Sequence, residues 1–483
     1  MPAIHWFRRD LRLADNPALT AACANGGEVI LLCILDPAED TSKGQIGGAS
    51  NWWLHESLAE LARTCAALGA PLVLRRGQPA MVLKSLIKET GADTICWNRC
   101  YEPYAIARDK QLKAELTDAG VNVQSFNGAL LAEPWTIRNG SDKPYKVFTP
   151  FWRVLSQFAP FAAPLPAPKE IRPFAKPVAS DALVDWHLQP TAPDWAGGLR
   201  ATWKPGETAA AKRLHDFLDV DVATYKDRRD FLSDNATSNL APHLHWGEIS
   251  PRQVWAAAAM RGDADPASAT GVAAFQRQLA WREFSMHLLF HWPDLAAHAW
   301  KPAYKKFPWA NNKSHFRAWT KGKTGYPVVD AAMRALWTTG TMHNRARMIV
   351  ASFLIKHLLH DWRQGADWFE DTLVDADLAN NRAGWQWVAG SGADAAPYFR
   401  IFNPVLQGEK FDPDGSFVRQ WVPELSGLDA RYIHKPWVAP SQALDVCGIV
   451  LGKTYPMPIV DHDKARARAL AAYQEIKNQP TDV

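Results

Sequence analysis

Val29-Ile30-Leu31-Leu32-Cys33-Ile34-Leu35 is an unbroken apolar run. A strand with one wet face alternates polar and apolar side chains. A run without alternation is a strand covered on both faces, and such strands belong to parallel sheets flanked by helices. The surrounding sequence meets that demand. Short apolar runs at residues 4–7, 71–74, 93–97 and 121–126 alternate with helical patterns at 17–23, 50–68, 79–89 and 106–119. Asp15-Asn16-Pro17 supplies a side-chain cap and an early proline for the first helix. Strand and helix in strict alternation predict a five-stranded parallel sheet with helices on both faces.

A dinucleotide-binding sheet of the common kind carries G-x-G-x-x-G after its first strand. Here Phe7-Arg8-Arg9-Asp10-Leu11-Arg12 stands instead, which argues against an ordinary NAD-type oxidoreductase. Arg8, Arg9 and Arg12 suit either an anion or salt bridges. Nine prolines lie between Pro160 and Pro205, so this stretch reads as an irregular surface linker. Beyond it the apolar spacing turns helical, near 3.6, at 208–220, 251–261, 271–290, 326–338, 343–361 and 366–373. The chain thus divides into an α/β domain over 1–131, a linker over 132–205 and an all-α domain over 206–483.

The 483 residues, 47% hydrophobic and 22% charged, exclude wholesale disorder. No stretch approaches the roughly 18 uncharged apolar residues of a membrane span, and no apolar leader follows Arg8, Arg9 and Asp10. Six cysteines are too few for a disulfide framework, so a reducing cytoplasm is expected. Lys and Arg exceed Asp and Glu by 54 − 50 = 4, a mildly basic balance. The 23 tryptophans stand out. Indoles fill cores, stack on nucleobases and give up single electrons, and composition does not choose among these.

Chemistry concentrates between residues 344 and 400. A helix through His343-Asn344-Arg345-Ala346-Arg347-Met348 puts Asn344 and Met348 on one face with Arg347 beside them. An arginine in so apolar a helix needs a carboxylate, Asp375 or Asp377. Burying that pair gains little stability, which favours a role in a site. Asp375-Ala376-Asp377-Leu378-Ala379-Asn380-Asn381-Arg382-Ala383-Gly384-Trp385-Gln386-Trp387 holds two acids, two amides and two tryptophans. No His or Cys lies among them to favour a transition metal. Carboxylates and amides can instead hold a flat heterocycle by its edge between indoles.

Further motifs follow one another in order: Trp6-Phe7-Arg8-Arg9-Asp10-Leu11-Arg12-Leu13, Tyr145-Lys146-Val147-Phe148-Thr149-Pro150-Phe151, Gly325-Tyr326-Pro327, His343-Asn344-Arg345, Trp385-Gln386-Trp387 and Asp394-Ala395-Ala396-Pro397-Tyr398-Phe399-Arg400-Ile401-Phe402-Asn403-Pro404. With these the chain resembles, almost end to end, the photolyase/cryptochrome flavoproteins, and most closely the bacterial cyclobutane pyrimidine dimer photolyases. The resemblance implies a Rossmann-like antenna domain, a long linker and a helical domain holding a bent FAD. Around that FAD it implies Tyr225, Thr237, Ser238, Asn239, Leu240, Arg282, Asn344, Arg347, Asp375, Ala376, Asp377 and Asn381, with Asn381 facing flavin N5. Ala241 replaces a serine common in the family, removing one phosphate contact. Asn381 favours repair, because plant cryptochromes carry Asp there and animal ones Cys.

The resemblance also implies an electron relay through Trp385, Trp362 and Trp309; taken singly each is an ordinary core residue. It implies a lesion pocket walled by Trp281 and Trp387 and lined by Asn344 and Met348. The (6-4) photolyases use histidines at those last two places, so (6-4) repair is disfavoured. Gln278 stands where many relatives have a glutamate bonded to the dimer. Arg229, Arg345, Arg400 and Gln407 match DNA-facing positions, and seven bases without an acid (Lys301, Lys305, Lys306, Lys313, Arg317, Lys321, Lys323) could track a phosphate backbone. An antenna chromophore is expected, with methenyltetrahydrofolate favoured. Ala105 and Ala297 depart from the class I folate pattern, while Gly47-Gly48-Ala49-Ser50-Asn51-Trp52-Trp53-Leu54-His55 and Ala393-Asp394-Ala395-Ala396 look like class III. Only Cys447 lies beyond Cys100, which excludes a four-cysteine iron–sulfur cluster, and no metal is expected.

The implied function is light-driven repair of pyrimidine dimers in UV-damaged DNA by electron transfer from excited, reduced FAD. A cryptochrome-like photoreceptor is the alternative. The expected enzyme is a cytoplasmic monomer without an obligate protein partner, nucleoid-associated when on DNA.

Overall fold

The computed structural model describes residues 1–24, 26–37, 46–395 and 399–478. Ala396, Pro397 and Tyr398 of the quoted motif lie outside the described residues. The α/β half runs β1 (Ala3–Phe7), α1 (Pro17–Cys23), β2 (Val29–Leu35), α2 (Gly48–Ala67), β3 (Leu72–Arg76), α3 (Pro79–Thr90), β4 (Thr94–Asn98), α4 (Pro103–Asp118) and β5 (Asn122–Phe126). The five strands are parallel in the order β3-β2-β1-β4-β5. All seven residues of β2 are buried. Ile30, Leu32 and Ile34 enter one apolar cluster, and Val29, Leu31, Cys33 and Leu35 the opposite one. Continuous hydrophobicity therefore has its expected cause, a cover on each face. The Asn16 side chain caps α1 at Leu19 N, 3.1 Å.

Residues 160–205 are less detached than a surface linker. Val29 N donates to Arg172 O at 2.8 Å, and Ile171, Trp186, Leu188, Leu199 and Trp203 are buried in the β2 cluster. The prolines forbid long regular elements, but the apolar residues between them pack on the sheet's helices. Ahead of them α5 (Phe148–Leu155) sends Phe148 and Phe151 into the helical half.

The linker ends with α6 (Gly197–Thr202), and the helical half comprises α7 (Glu207–Val220), α8 (Tyr225–Arg228), α9 (Ala241–His245), α10 (Pro251–Ala264), α11 (Ala269–His291), α12 (Lys313–Thr320), α13 (Pro327–Thr339), α14 (Asn344–Ser352), α15 (Trp362–Thr372), α16 (Leu378–Ala389), α17 (Pro404–Phe411), several short helices beyond and a longer one over His462–Asn478. The sequence predicts a single helix over 343–361, and the structure corrects this. After α14 the ladder widens into a π turn over Phe353–His357, where Leu358 N bonds Phe353 O at 3.1 Å. Leu359 then takes φ +52, ending the helix. Apolar spacing cannot register this inserted residue, because both sides of the break are buried. Among the described residues no helix is long and apolar enough to cross a membrane.

The halves meet through buried polar contacts. Glu207 accepts Leu13 N and Ala14 N at 2.8 and 2.9 Å. Fully buried Arg12 donates to Gly247 O at 2.8 Å, and to Asp15 O and Gly128 O at 2.7 Å. Gly247, at φ +67, lies so near Arg9 that a Cβ would sit 2.1 Å from its carbonyl oxygen. Asp15 binds Arg252 at 2.6 Å and the Ser250 hydroxyl. Asp15→Ala strands the Arg252 charge at this interface. It should lower unfolding free energy by about 3 kcal/mol, read as a fall in denaturant midpoint with unchanged slope.

Candidate active site in the helical domain

Helix α16 organises the site. Asp377 caps it, accepting Asn380 N at 2.8 Å and the Asn380 side-chain amide at 2.7 Å. Burial opposes charge on Asp377, but His245, Arg282 and the Asn380 N–H outweigh it and hold the carboxyl well below the usual carboxylate range. His245 itself is shifted down by burial and by Arg9. The Arg9 guanidinium lies 2.7 Å from His245 Nε2 and 3.3 Å from Nδ1, and Nδ1 lies 3.9 Å from Asp377 Oδ2. One turn on, Asn381 donates its amide to Ala366 O at 2.9 Å and to Glu370 at 3.3 Å. That fixes the side chain with its oxygen meeting no donor among the described residues. The sequence left two partners open for Arg347. It is Asp375, in two bonds of 2.8 and 3.0 Å, with Arg347 Nε on Met342 O at 2.7 Å. Ala376 packs between them against the core. Arg282 donates to Ala129 O at 2.9 Å, beside Glu283, whose carboxyl burial pushes up to about 7.

The expected phosphate segment precedes α9. Asn239 sits at φ +50 and hydrogen-bonds back to Thr237 O at 3.3 Å, while Ser238 Oγ accepts Leu240 N at 3.4 Å. This tight turn gathers the Thr237 and Ser238 hydroxyls in front of buried Leu240. Tyr225, at the start of α8, is buried under the Arg229 guanidinium.

Trp385 is buried, and its Nε1 finds no acceptor among the described residues. It lies on α15 at Gly365, where a Cβ would come 2.1 Å from the indole. Trp362, also buried, begins α15. Trp309 is half-buried, and the segment carrying it is bound to the turn before Trp362: Ala310 N donates to Leu359 O at 2.8 Å and His360 Nε2 bonds Asn312 O at 2.8 Å. Trp385 and Trp362 are thus interior, and Trp309 is the one of the three with a partly open surface. Trp319 stands edge-on to Trp385 at 6.2 Å, an aromatic neighbour the sequence reading missed.

Helix α16 packs against both α11 and α14, and the three carry the residues of the expected lesion pocket. Trp281 and Gln278 share one face of α11 and are half-buried, as is Trp387 on α16. Between the indoles Trp385 and Trp387, buried Gln386 ties down residues 295–300. It accepts Trp300 N at 2.8 Å and donates to Leu295 O and His298 O at 2.9 and 2.8 Å. Asn344 is exposed at the start of α14, with Met348 half-buried one turn on. Arg345 is held by Asp230 at 2.6 Å, and Arg229 lies 3.9 Å from the same carboxylate. Arg400 is exposed and Gln407 half-buried on α17. All seven bases of the 301–323 run are exposed.

A family model described as the FAD binding domain of DNA photolyase matches residues 275–475, and one described as DNA photolyase matches residues 3–169. A deoxyribodipyrimidine photo-lyase of Agrobacterium fabrum is 53% identical over 476 residues, covering 99% of this chain and 98% of that one. The crystal structure of a bacterial class III photolyase from Agrobacterium tumefaciens superposes with a TM-score of 0.96 at 53% identity, over 99% of this chain and 98% of that one. Cryptochrome-2 of Arabidopsis thaliana is 39% identical, covering 98% of this chain and 79% of its own length. The chain belongs to the photolyase/cryptochrome family. Within it the chain sides with the photolyases, which are lyases, and more closely with the class III enzyme than with the cryptochromes.

Gly365→Ala should displace the Trp385 indole, because neither α15 nor α16 can yield 2 Å of space. We expect a loss of roughly 1–3 kcal/mol in stability, with a changed near-UV circular dichroism spectrum as the check on the indole.

Proposed function

We propose that the protein repairs cyclobutane pyrimidine dimers in UV-damaged DNA, driven by blue light. The observation carrying this reading is α16 itself, which presents a fixed amide at Asn381, an inward indole at Trp385 and an outward indole at Trp387. The division at 1–131, 132–205 and 206–483 is part of the reading.

The residues fit FAD. Asn381 Oδ1 and Arg347 Nη1 have no partner among the described residues, and the Thr237 and Ser238 hydroxyls crowd one turn. Tyr225, Thr237, Ser238, Asn239 and Leu240 would hold the phosphate side. Arg282, Asn344, Arg347, Asp375, Ala376, Asp377 and Asn381 would hold the ring systems. Bound and reduced, FAD supplies on excitation the electron that splits the dimer and receives it back. Trp385, Trp362 and Trp309 carry electrons inward to the site in short hops.

The lesion must leave the duplex to reach the pocket. Trp281 and Trp387 offer it two indole walls, and Gln278 offers a neutral amide. Asn344 and Met348 present no titratable group. His343 beside them is shifted down to about 4 by burial and accepts Arg345 N at 3.1 Å, which supports dimer repair over (6-4) chemistry. Arg229, Arg345, Arg400 and Gln407, with the exposed bases of 301–323, would grip the phosphates. We place the enzyme in the bacterial cytoplasm as a monomer without an obligate protein partner, on the nucleoid when DNA-bound.

For an antenna, methenyltetrahydrofolate by preference, the support lies on the surface. Trp337 is 60% exposed and stacked on Trp368 at 6.0 Å, 12° from parallel. Trp195, 41% exposed, packs on Gly48, whose N–H bonds Asp371 one turn past Trp368. An exposed indole backed by a parallel, half-buried one suits a flat pterin. The crevice at the strand ends is less suited, since Arg8 there binds Asp109 and Arg108 binds Asp36.

Illuminated, chemically reduced protein should restore thymine in a dimer-containing oligonucleotide; no restoration refutes the reading. Trp385→Phe should abolish photoreduction of oxidised FAD yet leave repair by chemically reduced enzyme near wild type. Trp337→Ala should remove the antenna's near-UV absorption from the purified protein without changing the FAD content.

A further inference from the structure

The wall indole Trp281 is held by a ring from a distant part of the sequence. Phe148, the first residue of α5, lies parallel to Trp281, with centroids 3.6 Å apart and planes 6° from coincidence. No other ring pair among the described residues is closer. Phe148 is 1% exposed, whereas Trp281 remains half-buried, so the phenyl ring covers one indole face and leaves the indole's accessible surface elsewhere.

Phe148 is itself fixed from three sides. Phe284 stands edge-on at 5.8 Å. The Arg277 guanidinium lies 5.3 Å from the ring centre. Its backbone N–H donates to Asp394 Oδ2 at 3.2 Å. Asp394 belongs to the loop that follows α16, the helix carrying Trp387. One residue thus touches the Trp281 wall and the chain segment behind the Trp387 wall.

We propose that Phe148 is a positioning residue for the lesion: it sets the plane of Trp281 and, through Asp394, locks that plane to the loop behind Trp387, so the two walls are in register before DNA arrives. The inference rests on the reading of Trp281 and Trp387 as pocket walls. Its physical basis is preorganisation. An indole free to turn about two side-chain torsions loses that freedom when a base stacks on it, and an indole already clamped does not.

The test measures binding of FAD-loaded, full-length protein to a dimer-containing oligonucleotide and to its undamaged counterpart. Phe148→Leu should weaken dimer binding roughly 3- to 10-fold, the range for loss of one well-stacked aromatic pair, and leave undamaged DNA unaffected. In a Trp281→Ala background the same change should add nothing, because Phe148 acts through that indole. Phe151→Leu is the control for helix integrity: Phe151 is equally buried on α5 but faces Phe284 and His287, and dimer affinity should hold. Asp394→Ala, which removes the anchor and spares both rings, should weaken dimer binding in the same direction. Wild-type affinity in Phe148→Leu alongside a weakened Trp281→Ala overturns the positioning role and leaves the pocket standing. A Phe148→Leu deficit that persists without Trp281 also overturns it. An unaffected Trp281→Ala overturns the pocket reading itself.

Discussion

The helical half depends on one capped helix start. Asp377 closes the N-terminus of α16 by accepting the Asn380 N–H, and it keeps its charge despite burial because His245, Arg282 and that N–H surround it. An N-cap carboxylate fixes both where a helix begins and how it is rotated. At 3.6 residues per turn, successive residues then point about 100° apart. Trp385 is therefore committed to α15, Gln386 to the strap at 295–300, and Trp387 to a half-buried face. A shift of one residue in the cap would send each of the three to the wrong neighbour.

Much of this was legible in the sequence, where it rests on periodicity or a local cap. The five strands, the four helices between them and the Asn16 cap follow from patterns within a few residues of each element. Partner choice was less legible. Arg347 had two carboxylates within reach in sequence, and only the bidentate geometry selects Asp375. The π turn and the positive φ at Leu359 escaped because burial on both sides masks an inserted residue. The proline-rich segment read as surface because proline density reports irregular backbone, not depth. Phe148 stood in a quoted motif, but nothing local tells a phenylalanine in a short helix that its partner is an indole 133 positions away. For Gly365 and Gln386 the signal was a small or polar residue inside an apolar helix, which marks a close approach or a satisfied buried amide without naming the neighbour.

The proposed relay would owe its placement to irregular backbone. Leu359 breaks the helix after the π turn, and its carbonyl then receives Ala310 N. That bond brings the Trp309 segment against the turn leading into Trp362. A continuous helix would have used the Leu359 carbonyl internally and offered no such anchor.

The seam between the halves has a consequence for energy flow. Glu207, Arg12, Asp15 and Trp53 cross it in buried hydrogen bonds, the last reaching Glu248 at 3.0 Å. Opening such a joint would leave buried polar groups unpaired, which opposes hinging. Dipolar excitation transfer falls with the sixth power of separation, so a light collector on the Trp337–Trp368 surface, which the Gly48–Asp371 bond ties to the sheet half, would deliver its quanta over a distance set at folding.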